Sequence, residues 1–446
     1  MEFLTGVMKN TEKPILFSAN KEEFCFCFMT DSVTDIGEHQ QPVRLPNCNG
    51  FYYGKTHNNQ NIAIYAGDND LDIYRTRILN TGAYIISNGN VFPDELKEFS
   101  GIRFLGGALN RIFHINGIVI DPVLKDGIVG RINDDSKAFN IDIAGLQCQI
   151  ELRSNTTFLE GQEGIKITNS DVGLTIVFSK SKPVSSFFTY YRNIRNLLSF
   201  LTNRKNVGFE SIELLKNEDD LPVSTQSAKV YIKNNQSSHL KDYQKNITVE
   251  DLGDAFPTLF KMFFDAENNT NMPLIGFLPE DDHDLYIMSN YKLKEICSAL
   301  EKELEYNTDI QVKENGQLDE LKSIVKKTLK EYKKSHSDFP EGAVSLITNS
   351  IDHWSLSLRE RLLALCEKYD SEIMAMNPFK IKMDEEAIKG FVKYRNNITH
   401  GNAEILSTSV AATAMLLSGV VYCSVLDRAG VPRDKIQGIV KNKVLS

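Results

Sequence analysis

Two residues near the end of the chain have side chains that could bind a phosphate and move protons at neutral pH. They are the first and last members of the hexapeptide Arg395-Asn396-Asn397-Ile398-Thr399-His400. A guanidinium keeps its charge and presents N–H donors in a geometry that matches phosphate, and an imidazole exchanges protons near neutrality. Such a pair suits the cleavage of RNA, in which a phosphodiester is held while protons are transferred.

The segment before His400 predicts a helix with Arg395 on its inner face. Its apolar residues recur at intervals of three or four, and they are Ala387, Ile388, Phe391, Val392 and Ile398. Arg395 follows Ile388 by seven residues, which places it on the same face. Because burying an unpaired guanidinium is costly, two alternatives remain for Arg395. Either it binds phosphate, or it forms a structural ion pair and His400 is an ordinary surface residue. Gly401-Asn402 predicts the helix end.

Two further observations bear on this segment. The tripeptide Tyr394-Arg395-Asn396 occurs a second time as Tyr191-Arg192-Asn193, but no histidine follows there, so Arg192 is expected to be structural or solvated. On a predicted helix over Leu285–Tyr306, Glu301 borders the apolar face. Glu301 is either the carboxylate that orients Arg395 or an ordinary exposed helix residue.

A second predicted helix carries arginines that could contact RNA. Arg359 and Arg361 lie on an amphipathic segment and either follow an RNA backbone or belong to a solvated surface. The net charge of −9 argues against a protein that coats nucleic acid without specificity. The charge is uneven, since residues from Tyr286 onward hold 23 Lys+Arg against 22 Asp+Glu, a net of +1 against −10 for the rest. An RNA-binding surface is therefore expected in the C-terminal part.

The compartment is predicted from cysteines and apolar segments. Seven irregularly spaced cysteines do not form a disulfide pattern, and Met1 to Leu16 lacks the apolar run of a signal peptide. The uncharged stretch Ile405 to Leu426 is long enough to span a bilayer. Because it holds six Ser or Thr residues and no basic cluster flanks it, we expect a buried bundle helix and a cytoplasmic protein without membrane contact.

The pattern of residues predicts an α+β protein in three parts. Up to residue 180, short alternating runs separated by turn formers predict a β-rich sandwich or barrel-like domain, including Glu23–Phe28, Asn61–Tyr65 and Ile112–Ile120. Residues 181–247 predict a linking helix and short strands. From residue 248 to 446 nearly every segment has helical periodicity, which predicts an all-α bundle.

The residues around the Arg–His segment resemble a known family. The string YRNNITHGN (394–402) is similar to the RNxxxH signature of HEPN-domain proteins, which lies late in a helical bundle. The upstream strings CSALEKEL (297–304) and SLRERLLALCEKY (357–369), the helix FFTYYRNIRNLLSFLT and the β-rich front resemble ApeA-like antiviral HEPN proteins. The detailed likeness covers roughly the C-terminal 160 residues.

The resemblance implies a metal-independent endoribonuclease without a cofactor that works as a homodimer. In that chemistry the ribose 2′-hydroxyl attacks the adjacent phosphorus and leaves a 2′,3′-cyclic phosphate and a 5′-hydroxyl. By position, His400 would be the general base or acid, Arg395 would hold the scissile phosphate, and Asn396 would orient one of them. The N-terminal domain would restrain the nuclease and respond to a phage-derived trigger.

Helix geometry gives a separate reason to expect a dimer. If the helix ran through residue 400, the five-residue offset would turn His400 about 140° from Arg395 around the axis. Either the helix breaks near Ile398, or a second protomer completes the pair across a two-fold axis.

Two functions of different classes follow from this. The first is an antiviral endoribonuclease toxin that cuts cellular RNA, such as tRNA, and arrests the infected cell by abortive infection. The second is a non-catalytic HEPN module that binds a nucleotide or a protein partner.

Overall fold

The first strands of the chain alternate buried and exposed residues, whereas strands such as Ala83–Ser87 are buried on both faces. In β1 (Phe3–Met8) every second side chain is buried, and β2 (Ile15–Asn20) continues the pattern, as expected for a sheet with one face on a core. Within the described residues, thirteen strands form one antiparallel sheet, and four further strands form two separate pairs.

The remaining strands are β3 (Cys25–Thr30), β4 (Val43–Leu45), β5 (Phe51–Thr56), β6 (Asn61–Tyr65), β7 (Leu71–Ile73), β8 (Thr76–Asn80), β9 (Ala83–Ser87), β10 (Glu98–Leu105), β11 (Ile118–Asp121), β12 (Val129–Ile132), β13 (Ser136–Ile143), β14 (Leu146–Gly161), β15 (Gly164–Pro183), β16 (Ser211–Lys216) and β17 (Thr225–Ile232). The order in the large sheet is β13-β14-β15-β10-β16-β17-β9-β6-β5-β1-β2-β3-β8, and β11 pairs with β12 and β4 with β7. The computed structural model describes the chain except residues 1–2, 31–41, 88–96, 114–117, 122–128, 133–135, 144, 162–163, 217–224, 236, 238–239, 266–272, 308–309, 311–315, 337–339, 353–356, 378–379, 403–404 and 446.

One half of the sheet is rolled into a barrel-like shape. Five strand spacings separate β3 from β9 in the sheet order, which would be about 24 Å if the sheet were flat. The rings of Phe26 on β3 and Tyr84 on β9 nevertheless lie 5.6 Å apart between centroids. The enclosed core includes Phe17, Tyr52 and Ile64. The predicted fold class, a β-rich N-terminal region followed by a helical region, is confirmed.

The structure differs from the expected layout at two places. Residues 181–247 were predicted as a link, but their strands β16 and β17 lie in the middle of the sheet, between β10 and β9. The run Ile112–Ile120 was predicted as one strand. Its first residue, Ile112, instead caps the end of a 3-10 turn (Gly107–Arg111), and the described strand β11 covers Ile118–Asp121. The asparagine and glycine inside this run, residues 116 and 117, lie outside the described residues.

The chain divides into two units, Met1–Asn268 and Asn269–Ser446. The first unit keeps helices α1 (Phe187–Thr202), α2 (Val249–Leu252) and α3 (Phe256–Asp265). Helix α3 packs on the sheet through Phe256 and Phe260, whose rings both meet Phe139 of β13 edge-on at 5.7 Å. This division falls later than the expected boundary at 247/248, because α3 belongs to the core of the sheet.

The second unit is helical. Its helices are α4 (Pro273–Gly276), α5 (Asp282–Leu285), α6 (Asn290–Tyr306), α7 (Gly316–Ser335), α8 (Glu341–Asp352), α9 (Leu358–Lys368), α10 (Asp370–Met376), α11 (Glu385–Thr399), α12 (Thr408–Arg428) and α13 (Arg433–Ile439), followed by a π-helical turn (Val440–Val444). Helix α12 packs against α6, α10 and α11. It is long and apolar enough to cross a membrane, but 78% of its most apolar window is buried in the structure.

A buried carboxylate joins α6 to α12. Glu303 is 5% exposed and accepts hydrogen bonds from Arg428 at 2.7 Å and 3.0 Å and from Ser424 at 2.6 Å. The Arg428 guanidinium also lies 4.1 Å from the ring centroid of Tyr306. Paired in this way, the charge of Glu303 is tolerated in the core, whereas an unpaired one would be strongly destabilising.

We predict that Glu303→Ala destabilises the helical unit by about 3 kcal/mol, because it leaves the guanidinium of Arg428 largely buried without a counter-charge. Hydrogen exchange at the amides of α6 and α12 in the full chain measures this. The double variant Glu303→Met/Arg428→Met should lose less than the single variant, since neither charge remains. Lys302→Ala, which breaks an exposed pair with Glu305, should change stability by less than about 1 kcal/mol. Equal losses in all three would contradict the assignment.

Candidate active site

Helix α11 carries the Arg–His segment and begins with a well-formed N-terminus. The Asp384 side chain accepts a hydrogen bond from the backbone N–H of Ala387 at 3.2 Å, and Glu385 and Glu386 lie in the first turn, where the helix dipole favours negative charge. The buried residues of the helix are Ile388, Phe391, Tyr394 and Ile398.

Arg395 lies at the edge of this buried face. Tyr394 occupies the core position and donates to Asn290 Oδ1 of α6 at 2.9 Å, whereas the predicted core residue Val392 is only half-buried. One residue is about 100° of helix rotation, so Arg395 is turned toward the rim, and its side chain is 28% exposed. The sequence placed Arg395 on the inner face of the helix, whereas in the structure it lies at the edge of that face.

Two side chains hold the Arg395 guanidinium. Its Nη2 donates to Glu301 Oε1 at 2.9 Å, and its Nη1 donates to Asn396 Oδ1 at 3.2 Å. Glu301 comes from α6, 94 residues earlier. These bonds use one N–H of each terminal nitrogen in a group that carries five. The arginine is thus positioned by neighbours while donors remain for an oxyanion ligand.

A buried thiol lies beneath this ion pair. Cys297 is fully buried, and its Sγ lies 3.9 Å from Glu301 Oε1. Burial, followed by the negative charge of Glu301, raises the pKa of Cys297 to about 12. The thiol therefore stays protonated at neutral pH and fills space rather than acting as a nucleophile. Among the residues that the structure describes, no three His, Cys, Asp or Glu side chains form a cluster able to hold a metal ion.

His400 lies where α11 ends. Thr399 is the last helical residue, His400 is the C-cap, and Gly401 takes a φ of +79°. The N–H of Asn402 donates to the carbonyl of Asn397 at 3.0 Å, and that of Gly401 to Ile398 at 3.4 Å. These two bonds form a Schellman motif, which needs a left-handed residue at Gly401.

The helix end fixes how His400 is presented. The imidazole is exposed, and the helix runs far enough to turn it about 140° from Arg395 around the axis. Of the predicted site residues, the structure brings together Arg395, Asn396 and Glu301. It places His400 at the same end of the helix but on another side of it.

A cleft beside these residues contains side chains that the sequence analysis did not single out. Its volume is about 320 Å³, and its lining residues are Arg359, Lys389, Val392, Lys393, Asn396 and Asn397. Lys389 and Lys393 looked like ordinary solvated lysines. The signal that could have identified them is the spacing 389-393-396-400, which places both lysines, Asn396 and His400 along one stripe of the helix.

Comparison with known proteins covers both units. The family described as ApeA N-terminal domain 1 matches residues 31–262, and the family described as Apea-like HEPN matches residues 295–435. The second match contains Glu301, Arg395, Asn396 and His400. The resemblance drawn from the sequence is confirmed at the level of the family. No curated protein and no solved structure matches the chain.

We predict that Gly401→Ala destabilises the end of α11 by about 1 kcal/mol, because a side chain at positive φ is strained. No atom lies within 4 Å of the position that a Cβ would take, so the effect reports backbone conformation alone. Faster hydrogen exchange at the amides of 397–402 measures it. Gly401→Asn should cost less, since asparagine tolerates this conformation, and Gly342→Ala at a helical glycine with open space around it is the matched control. Unchanged exchange in Gly401→Ala would contradict the capping role.

Proposed function

Since the chain belongs to the ApeA-like HEPN family, an anti-phage family, we propose that it is a metal-independent endoribonuclease acting in the cytoplasm of infected bacteria. The observation that carries the proposal is the held but accessible guanidinium of Arg395. It lies in the same motif as His400, beside a basic cleft. The N-terminal unit would restrain this activity until a phage-derived trigger acts on it, and cleavage of RNA such as tRNA would arrest the cell.

The proposed reaction is an internal transesterification. The 2′-oxygen forms a bond to phosphorus as the bond from phosphorus to the 5′-oxygen breaks, giving a 2′,3′-cyclic phosphate and a 5′-hydroxyl. His400 would accept the proton of the 2′-hydroxyl or donate one to the departing 5′-oxygen. Arg395 would bind the non-bridging oxygens and stabilise the charge that develops on them. Asn396 would help to hold the guanidinium through its Oδ1.

A homodimer would complete this site. Because His400 is turned about 140° from Arg395 on one helix, one chain is not expected to place both groups on the same phosphate. A two-fold axis near the end of α11 would bring His400 of one protomer toward Arg395 of the other. Both active sites would then depend on the interface.

The exposed position of His400 favours a second candidate function. A histidine that faces solvent in a single chain is what a non-catalytic module would show, with Arg395 binding a nucleotide phosphate or an acidic group of a protein partner. Such a protein would bind its ligand without cleaving RNA.

We expect the wild type, once triggered by phage infection, to produce RNA fragments with 2′,3′-cyclic phosphate ends. His400→Ala should lower the cleavage rate by about 10²–10⁴ through loss of proton transfer. Arg395→Ala should lower it by about 10²–10³ through loss of charge stabilisation. Rates from purified protein and end mapping of total RNA measure both effects. Arg192→Ala, in the second Tyr-Arg-Asn tripeptide, should cleave like wild type. Intact RNA in every infected strain would rule out the nuclease and leave the binding module.

We also expect Glu301→Gln to lower the cleavage rate while leaving stability within about 1 kcal/mol of wild type, because both partners are partly solvent-exposed. The amide still accepts a hydrogen bond from Arg395, so the loss should be smaller than in Glu301→Ala, which frees the guanidinium to move. Measuring kcat separately from KM distinguishes positioning from folding. A faster enzyme in Glu301→Gln would mean that Glu301 competes with the phosphate instead of orienting its ligand.

A further inference from the structure

The cleft beside Arg395 is lined by positive charge from two helices. Arg359 comes from the first turn of α9, and Lys389 and Lys393 come from successive turns of α11. Asn396 and Asn397 line the end of the cleft nearest the C-terminus of α11. Three cations around about 320 Å³ of open space favour an anionic ligand, in a chain whose net charge is −9.

The cationic side chains follow a line that leads to His400. Positions 389, 393, 396 and 400 are four, three and four residues apart, so they lie along one face of α11. At 1.5 Å per residue the stripe is about 16 Å long, and neighbouring members are about 4.5–6 Å apart along the axis. That interval is close to the spacing of consecutive phosphates in an extended strand.

The cations of the cleft have only weak competitors for such a ligand. Arg359 lies 3.5 Å from Glu385, and Lys389 lies 3.3 Å from Glu386. All four side chains are at least 38% exposed. Ion pairs of this kind contribute little free energy and are screened by salt, so a phosphate can displace them at small cost.

The cleft is connected to the proposed phosphate-binding arginine. Asn396 lines the cleft and also accepts a hydrogen bond from Arg395 through its Oδ1. A strand lying in the cleft would therefore pass beside Asn396, whose side chain holds Arg395, and the stripe continues from there to His400. The stripe is one side chain wide, which matches one strand rather than the two strands of a duplex.

We propose that this cleft binds the backbone of a single-stranded RNA segment next to the cleaved bond, with Lys389, Lys393 and Arg359 each contacting a phosphate. The inference rests on the proposed function for the identity of the ligand. We therefore expect the enzyme to select loops and other unpaired segments of RNA. Contacts to phosphates can favour a single strand over a duplex, but they do not recognise base sequence.

The test measures binding separately from cleavage. The full-length His400→Ala protein, which cannot transfer the proton, is titrated with a fluorescently labelled single-stranded oligouridylate over a range of salt concentrations. Each lost phosphate contact lowers the slope of log affinity against log salt by about 0.7 for a single strand. Lys389→Gln/Lys393→Gln should therefore lower the slope by about 1.4 and weaken binding severalfold at low salt.

Two further variants guard against an effect on folding. Glu385→Gln/Glu386→Gln removes the competing carboxylates and should tighten binding, an outcome that misfolding cannot produce. Lys441→Gln, at an exposed lysine that does not line the cleft, should leave slope and affinity unchanged.

The outcomes separate this inference from the proposed function. Equal slopes in the lysine variants and the parent, or equal affinity for a duplex of the same length, would overturn the cleft as a single-strand site even if the wild type cleaves RNA. Lower slopes in a protein whose wild type cleaves no RNA would support the cleft and reject the nuclease.

Discussion

The permanent charge of Arg395 restricts where α11 can place this side chain, because a guanidinium cannot lose its proton in a protein. In the core it would need full neutralisation, and in bulk water it would be screened and mobile. The structure holds it between these limits, at the rim of α11, with Glu301 and Asn396 on two of its nitrogens. Tyr394 makes this possible, since its bond to Asn290 fixes the rotation of α11 against α6.

The same unit contains a second arginine, Arg428, whose charge is neutralised by a buried carboxylate. Arg428 makes a bidentate ion pair with Glu303 and lies over the ring of Tyr306, and the hydroxyl of Ser424 donates to the Oε2 atom of the same carboxylate. Both carboxylates come from α6, two residues apart, and so point to different sides of that helix. Glu303 is satisfied by protein on both oxygens and stabilises the bundle. Glu301 is partly exposed to solvent, and Arg395, with which it pairs, has further N–H groups that can bind a ligand.

Sequence patterns predicted the local features well, because they depend on neighbouring residues. The strand at Asn61–Tyr65 and the helix ending near Gly401 follow from alternation, 3.6-residue periodicity and glycine. The insertion of β16 and β17 between β10 and β9 could not be predicted this way, since it depends on pairing between residues more than one hundred positions apart. The contact between Glu301 and Arg395 was one of two alternatives until the packing of α6 against α11 was known. The stripe through Lys389 and Lys393 was missed because exposed lysines on a helix usually mean solvation.

Burial of α12 has a consequence for how the chain is made. Before it is packed, a 21-residue helix with little charge has the length and composition that membrane-targeting factors recognise. Three of its packing partners, α6, α10 and α11, precede it in the chain, and only α13 and the turn Val440–Val444 follow it among the described elements that pack on it. Most of its packing surface has therefore already left the ribosome when it emerges. The order of synthesis thus gives this apolar helix a protein surface to dock on at once, and a variant with a late-folding α6 would expose the nascent chain to mistargeting.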